Sequence, residues 1–367
     1  MLKKIFILCF SGNQGGMELD AVRMCRRVSK YADVTLICMS DSPIEQWARN
    51  DRIAGFEYRN LACRLNRFLA RALVDPRIVR TVRNAVKEQE PDLLIFFGTS
   101  EVKSIGLALL GLKTKLVLRI GTTVSRPKNS LFQRIAYRRV DSFIAISEHI
   151  KRNVLQVFPG AKKRPIEICY PVIEAPVQRH TESVIQGGLC VLYHSRFVRG
   201  KGQLDAIQAF EKIYEQFEGL SLILLGKRED GAYCREIDRY IETRRLSNRV
   251  HARESVSNVE PFLRQASVFL GPSYGEGFSN SFVEALGSGL ICVVYDNTVF
   301  PCFRDLGFEF FMSRTGDVES LANNLRSALE LALDGSFDAT GNMALVKTLF
   351  SAEAEHSALL RLTQSLR

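Results

Sequence analysis

Gly271-Pro272-Ser273-Tyr274-Gly275-Glu276-Gly277-Phe278-Ser279-Asn280-Ser281-Phe282-Val283-Glu284-Ala285-Leu286-Gly287-Ser288-Gly289 follows the apolar run Val268–Leu270 and carries a glycine-rich loop into an amphipathic segment. A strand, a tight loop and a helix in that order build a parallel α/β sheet, whose ligands sit where the loops leave the strands. Glycines let backbone approach a ligand closely, and the amides at the helix start, near Ser279 and Asn280, attract an anion. Glu276 stands in the loop and Glu284 eight residues later on the helix. The pattern suits a nucleotide sugar. Its diphosphate would rest on the helix terminus, its sugar hydroxyls on Glu276 and its ribose on Glu284, with Gly277, Phe278, Ser279 and Asn280 shaping the donor site.

A second stretch has the same context. His194-Ser195-Arg196-Phe197-Val198-Arg199-Gly200-Lys201-Gly202 leaves the apolar run Leu189–His194 and precedes a helix. Arg196 offers a planar fork and Lys201 a compact charge, a combination fitted to a pyrophosphate, and Gly200 and Gly202 give the chain room to wrap it. A solvated basic loop would read the same in isolation. Near the start, Gly15 and Gly16 lie in Ser11-Gly12-Asn13-Gln14-Gly15-Gly16-Met17-Glu18, between a strand-like run and a helix. They would let a phosphate or an acceptor come close, although such a turn is as often structural.

Strand-length apolar runs alternate with helix-length segments throughout, so the fold class is α/β with mostly parallel sheets. The first series of strands is Lys4–Phe10, Val34–Met39, Leu93–Phe97, Leu116–Ile120 and Phe143–Ile146, with helices near Gly16–Lys30, Leu61–Glu88 and His149–Phe158. Periodicity lapses between Tyr170 and Gly188 and resumes at Leu189–His194, Leu220–Leu225, Val268–Leu270 and Leu290–Tyr295. The expected division is therefore a first domain over 1–172, a linker over 173–188 and a second domain over 189–344. Two doubly wound sheets facing one another would hold a ligand in the cleft between them.

The chain of 367 residues has 46% apolar and 25% charged residues, as a folded globular protein does. No apolar run approaches the ~20 residues that cross a bilayer. The opening Lys3-Lys4 and its apolar stretch lead into a glycine-rich turn rather than a cleavage site, so a cytoplasmic location is expected. Nine cysteines without a C-x-x-C pair fit buried thiols, and the five scattered histidines offer no metal spacing, so no metal site is expected. Residues 1–170 hold 30 Lys+Arg against 15 Asp+Glu, and the remainder 20 against 25. The surplus is densest over Leu61–Lys87, where Arg64, Arg67 and Arg71 alternate with apolar residues, and again over Arg126–Arg139. Such stretches bind anionic lipid headgroups or phosphorylated glycolipid, or form a solvated helix face. Stacking aromatics and nucleic-acid motifs are lacking, so nucleic acid is not an expected partner.

Taken together, the Glu276 to Glu284 string with Ala285-Leu286-Gly287-Ser288-Gly289, Arg196 followed by Lys201, and Gly15-Gly16-Met17-Glu18 resemble the retaining GT-B glycosyltransferases of glycosyltransferase family four, over essentially the whole chain. The resemblance implies two facing Rossmann-like domains with an interdomain cleft. It implies that Arg196, Lys201 and Glu276 are the catalytic set, the two cations neutralising the leaving diphosphate, that Glu284 binds ribose, and that Gly15 and Gly16 approach the phosphate or acceptor. The final stretch, 345–367, is expected to be helical and by the resemblance crosses back onto the first domain. Ser147, in Ala145-Ile146-Ser147-Glu148, matches the family turn after the last strand of that domain.

The family often carries a histidine after the fourth or fifth strand of the first domain, where this chain has Arg119-Ile120-Gly121-Thr122-Thr123-Val124. Arg119 or Thr122 could take that place on the acceptor side, or Arg119 could partner a buried carboxylate. His194 is read as a strand-end residue. No D-x-D motif is present, so the diphosphate is expected to leave without metal, helped by cations and a helix terminus. The expected activity is transfer of a hexose-type sugar with retention, from a nucleotide sugar (a UDP-sugar favoured) to a lipid-linked saccharide such as a lipopolysaccharide core or O-antigen or capsule intermediate. The protein would lie on the inner face of the cytoplasmic membrane. A nucleotide-sugar 2-epimerase or an inactive scaffold in polysaccharide assembly are the alternatives.

Overall fold

The structure, a computed structural model, describes residues 4–12, 15–50, 56–61, 74–173 and 188–366. The chain forms two compact units, Met1–Val172 with Ala352–Arg367, and Ile173–Ser351.

The first unit runs β1 (Lys4–Cys9), α1 (Gly16–Val28), β2 (Asp33–Met39), α2 (Pro43–Asn50), β3 (Phe56–Leu61), α3 (Pro76–Gln89), β4 (Leu93–Phe97), α4 (Val102–Ala108), β5 (Lys115–Ile120), α5 (Leu131–Ala136), β6 (Ser142–Ala145), α6 (Glu148–Val157) and β7 (Ile166–Ile168). Its seven strands are parallel in the order β3-β2-β1-β4-β5-β6-β7. Helices cover both faces, so the central strands read as unbroken apolar runs, such as the fully buried Leu93–Phe97.

The expected helix over Leu61–Glu88 needs correction. Leu61 ends strand β3, paired with Met39, and the helix is Pro76–Gln89. Asp75 caps it by accepting from the Arg77 amide at 2.9 Å, and Pro76 occupies its first turn, where a missing N–H costs nothing. The side chain of Arg77 also donates to Asp75 and holds that carboxyl below its usual range. Arg64, Arg67 and Arg71 lie outside the described residues.

The second unit runs β8 (Cys190–His194), α7 (Gln203–Glu211), β9 (Ser221–Leu225), α8 (Gly231–Thr243), β10 (Val250–Arg253), α9 (Glu260–Gln265), β11 (Val268–Gly271), α10 (Asn280–Gly287), β12 (Ile291–Tyr295), α11 (Phe300–Asp305), β13 (Phe311–Ser313), α12 (Val318–Asp334) and α13 (Thr340–Leu349). Its six parallel strands are ordered β10-β9-β8-β11-β12-β13. Phe282 of α10 meets Phe303 in a tilted pair, and Phe278, Phe303, Phe308 and Phe350 pack around it in edge-to-face and stacked pairs.

The final stretch divides at Phe350–Ser351 instead of forming one helix from Leu345. Phe350 is buried with the second unit's aromatics, and the chain rejoins the first unit only at α14 (Ala352–Ser365). There Ala358, Leu359 and Leu362 complete the core formed by β1, α1, β2 and β4. A buried ion network secures the junction. Arg27 reaches Glu355 of α14 through two bonds of 2.6 and 2.8 Å and approaches Asp20 at 3.5 Å. Asp20 also accepts from Arg119 Nε and Nη2 at 2.9 and 2.7 Å, while Arg119 Nη1 donates to the Cys169 carbonyl. Burial opposes both guanidinium charges, but these carboxylates more than offset it and hold both cations firmly protonated.

Arg119 is 2% exposed. Removing its charge leaves Asp20 with the longer Arg27 contact, so Arg119→Met is expected to destabilise the first unit by about 3 kcal/mol or more. Urea unfolding of the variant against wild type measures it.

Candidate active site

The switch point of the second sheet lies between β8 and β11, the central strands from which the order runs outward in both directions. The two loops rich in glycine and charge leave from it, 195–202 after β8 and 272–279 after β11. They are knitted together. The Tyr274 amide donates to the Gly200 carbonyl at 2.9 Å, and Ser273 Oγ donates to the same oxygen at 3.3 Å. Gly202 has φ +70°, and a Cβ there would stand 2.1 Å from the Pro272 carbonyl oxygen. Gly226 is held as closely, its imagined Cβ 1.9 Å from the Ser195 carbonyl oxygen. Tyr193 OH donates to the Lys201 carbonyl at 2.6 Å, and Tyr274 and Tyr295 both donate to Asp205.

This seam brings Lys201 and Glu276 together. Lys201 Nζ lies 2.5 Å from Glu276 Oε1, both side chains being largely buried. The Glu276 amide donates to Thr298 Oγ1 at 2.9 Å, fixing the loop from β12 as well. Arg196 is exposed and pairs with Glu229 at 3.0 Å. Ser279 takes a left-handed conformation, φ 67°, as N-cap of α10, yet its hydroxyl caps nothing. The first-turn amides of α10 thus begin a helix without a side-chain cap. Glu284 lies farther along that helix, with Oε2 3.6 Å from His194 Nε2. Burial outweighs a backbone hydrogen bond at Ser281 and pushes the His194 imidazole down to about 4, so the ring is neutral at physiological pH. His194 therefore sits under Glu284 as a packed, uncharged residue.

Phe278 requires correction. Its ring is buried and packs on Phe303 and Phe350 at 5.6 and 5.1 Å, so it supports the loop from below and presents no ring to a ligand. Its place within the motif suggested a site residue, whereas its apolar surface belongs to the core.

In the first unit, Gly15 is the N-cap of α1 and Gly16 its first residue, at the carboxyl end of β1. Glu18 is buried and folds back over this turn, its Oε2 lying 2.8 Å from where a Gly15 Cβ would be. Arg119 is withdrawn from the acceptor-side candidates, because its guanidinium is bound to Asp20 in the interior. Thr122 is exposed after β5. Beside it the structure reveals an imidazole that the sequence did not suggest. His149 Nε2 lies 2.9 Å from Thr123 Oγ1, so a histidine from the start of α6 reaches the end of β5. Burial, with Arg152 nearby, lowers its pKa. Ser147 caps α6, accepting from the Ile150 amide.

Two expectations follow. In Gly202→Ala the methyl must displace the Pro272 carbonyl in a backbone conformation that L residues avoid. A cost of at least about 2 kcal/mol is expected, checked by urea unfolding of the variant against wild type. For His194, the unfolded imidazole titrates near 6.5 and the folded one near 4. Stability is complete above pH 6.5 and falls by about 3 kcal/mol as the pH drops through this window, because only the unfolded chain takes up the proton. His194→Asn should lose this component, as seen in urea unfolding at several pH values; an unchanged pH slope would contradict it.

Residues 14–175 match Glycosyltransferase Family 4, and residues 188–330 match Glycosyl transferases group 1. An uncharacterized glycosyltransferase of Methanocaldococcus jannaschii is 23% identical over 239 residues, covering 59% of this chain and 58% of that protein. A GDP-mannose:cellobiosyl-diphosphopolyprenol alpha-mannosyltransferase of Xanthomonas oryzae is 27% identical over 216 residues, 58% of this chain and 54% of that protein. The chain thus spans about half the length of these curated relatives. Anabaena HepE, solved in complex with UDP, superposes with a TM-score of 0.80 at 18% identity, covering 99% of this chain and 100% of that one. With both halves matched and the fold shared, the chain belongs to the GT-B glycosyltransferases of family four.

Proposed function

We propose that the protein is a retaining glycosyltransferase that moves a hexose-type sugar from a nucleoside diphosphate to a lipid-linked saccharide. The observation that carries this reading is the Lys201–Glu276 pair at the seam of the two switch-point loops, beside the start of α10. A pyrophosphate there would meet Lys201, Arg196 and the first-turn amides of α10, the groups that stabilise a leaving diphosphate. Glu276 would both hold Lys201 and accept from sugar hydroxyls, and Glu284, farther along the same helix, would accept from the ribose. The leaving diphosphate oxygen would take the proton of the incoming acceptor hydroxyl as the new bond forms on the same face, so no carboxylate acts as nucleophile.

A UDP-sugar is the proposed donor, supported by the likeness to HepE, which was solved with UDP. The Xanthomonas relative, whose name carries GDP-mannose and a diphosphopolyprenol acceptor, supports the lipid-linked acceptor and makes GDP-sugars the rival donors. His149 and Thr123 are candidates for the sugar or acceptor contact that the family often makes through a histidine after β5. The proposed location is the cytoplasm, peripheral on the inner membrane face; no described helix is long and apolar enough to cross a membrane.

A thermal-shift panel of UDP-, GDP- and ADP-sugars tests the donor, since a ligand of the folded state raises the melting temperature according to its affinity. A UDP-hexose is expected to give the largest shift, and a panel with no shift would sink the reading. Lys201→Ala should lower turnover at least about a hundredfold, by removing the charge aimed at the departing diphosphate. Turnover within a few-fold of wild type would remove Lys201 from that role.

A further inference from the structure

We propose that the first unit docks on an anionic phospholipid surface through helix α5 and the basic cavity at its foot. From Val102 to Val140 the sequence contains nine Lys and Arg and no Asp or Glu. Toward the end of this acid-free stretch, α5 presents Leu131, Phe132 and Ile135 at 76%, 50% and 53% exposure, and none of its residues is buried. A helix that buries nothing gains little from packing, and this one is held by a local device instead. Ser130 accepts from the Gln133 amide, and Gln133 accepts from the Ser130 amide, a reciprocal capping box. The chain therefore maintains a short helix whose large apolar side chains face outward.

Leu107, in the last turn of α4, and Leu110, in the turn that follows it, are also exposed, at 42% and 55%. Beneath α5 lies a cavity of about 310 Å³ whose lining includes Thr99, Ser100, Lys103, Lys128 and Gln133, and no carboxylate. Lys103 Nζ stands 4.5 Å from the centroid of the Phe132 ring, tying a cation to the apolar helix. Burial lowers the pKa of Lys103, and the like charge of nearby Lys128 adds to this. Two ammonium groups and two hydroxyl residues match the phosphate of a lipid headgroup. Arg126, Arg134 and Arg138 are exposed around them.

The apolar residues decide the occupant. A soluble phosphate would satisfy the cavity and leave Leu131, Phe132 and Ile135 unexplained. An anionic bilayer takes both, with the side chains entering the acyl boundary and the cations at headgroup level. Lipid attachment of the acceptor, part of the function proposed above, supplies the reason for such a surface, and the inference rests on that reading for its purpose. The docking face is assigned to α5 instead of the Leu61–Lys87 segment, much of which lies outside the described residues.

The test is flotation of the full chain with vesicles, without donor or acceptor. Wild type should float with phosphatidylglycerol–phosphatidylcholine vesicles and remain below with phosphatidylcholine alone. Lys128→Glu, a change of two charges, should weaken binding about twentyfold. The double variant Phe132→Ser, Ile135→Ser should weaken it at least about tenfold. Leu333→Ser, at a 63% exposed leucine of the second unit, is the control and should bind as wild type. Retention of full binding by the α5 double variant, equal binding to both vesicle types, complete displacement by glycerol 3-phosphate or no binding by wild type would each overturn the proposal. Nucleotide-induced melting shifts measured on the same preparations separate its failure from that of the donor reading.

Discussion

The carbonyl oxygen of Pro272 occupies the space where residue 202 would carry a side chain. Everything at the second sheet's switch point depends on that close approach. It draws the loop after β8 onto the loop after β11, lets Tyr274 and Ser273 bind the Gly200 carbonyl, and sets Lys201 against Glu276. A wider gap would leave the lysine to wander on its four-carbon stem. As built, a largely buried carboxylate holds its ammonium in place.

The units solve their electrostatic problems differently. The second separates its glycine-rich loop from its core by one residue: Gly277 stays with the loop while Phe278 turns into an aromatic cluster that supports α10. The first buries charge outright, and Glu355, Arg27, Asp20 and Arg119 alternate in sign so that neither cation is left alone. Such a network contributes less to stability than an apolar replacement could, but losing one member is costly.

Much of this was legible in the residues. The glycine-rich loop with Glu276 and Glu284 announced a strand, a turn and a helix, because glycine, apolar run and amphipathic period occur there together. The central strands were legible because burial on both faces demands continuous apolar sequence. Strand β3 was not: Phe56-Glu57-Tyr58-Arg59-Asn60-Leu61 has no such run and exists by pairing with β2. The short strands β7, β10 and β13 escaped for the same reason. Arg119 read equally as a ligand contact or as a buried partner, and only the fold, bringing Asp20 from 99 residues away, decides. His149 meets Thr123 across 26 residues, a distance without local periodicity. The Ser130–Gln133 capping box, by contrast, stands openly in Ser130-Leu131-Phe132-Gln133.

The first unit is discontinuous in the chain, with 173–351 inserted before its last helix. On a ribosome, which releases the chain from its amino end, Arg27 must wait for Glu355, 328 residues later. The inserted unit has every strand of its own sheet before then. Synthesis thus imposes an order of completion: the inserted unit closes first, while the unit begun earlier stays unfinished until α14 arrives with a carboxylate for its buried arginine.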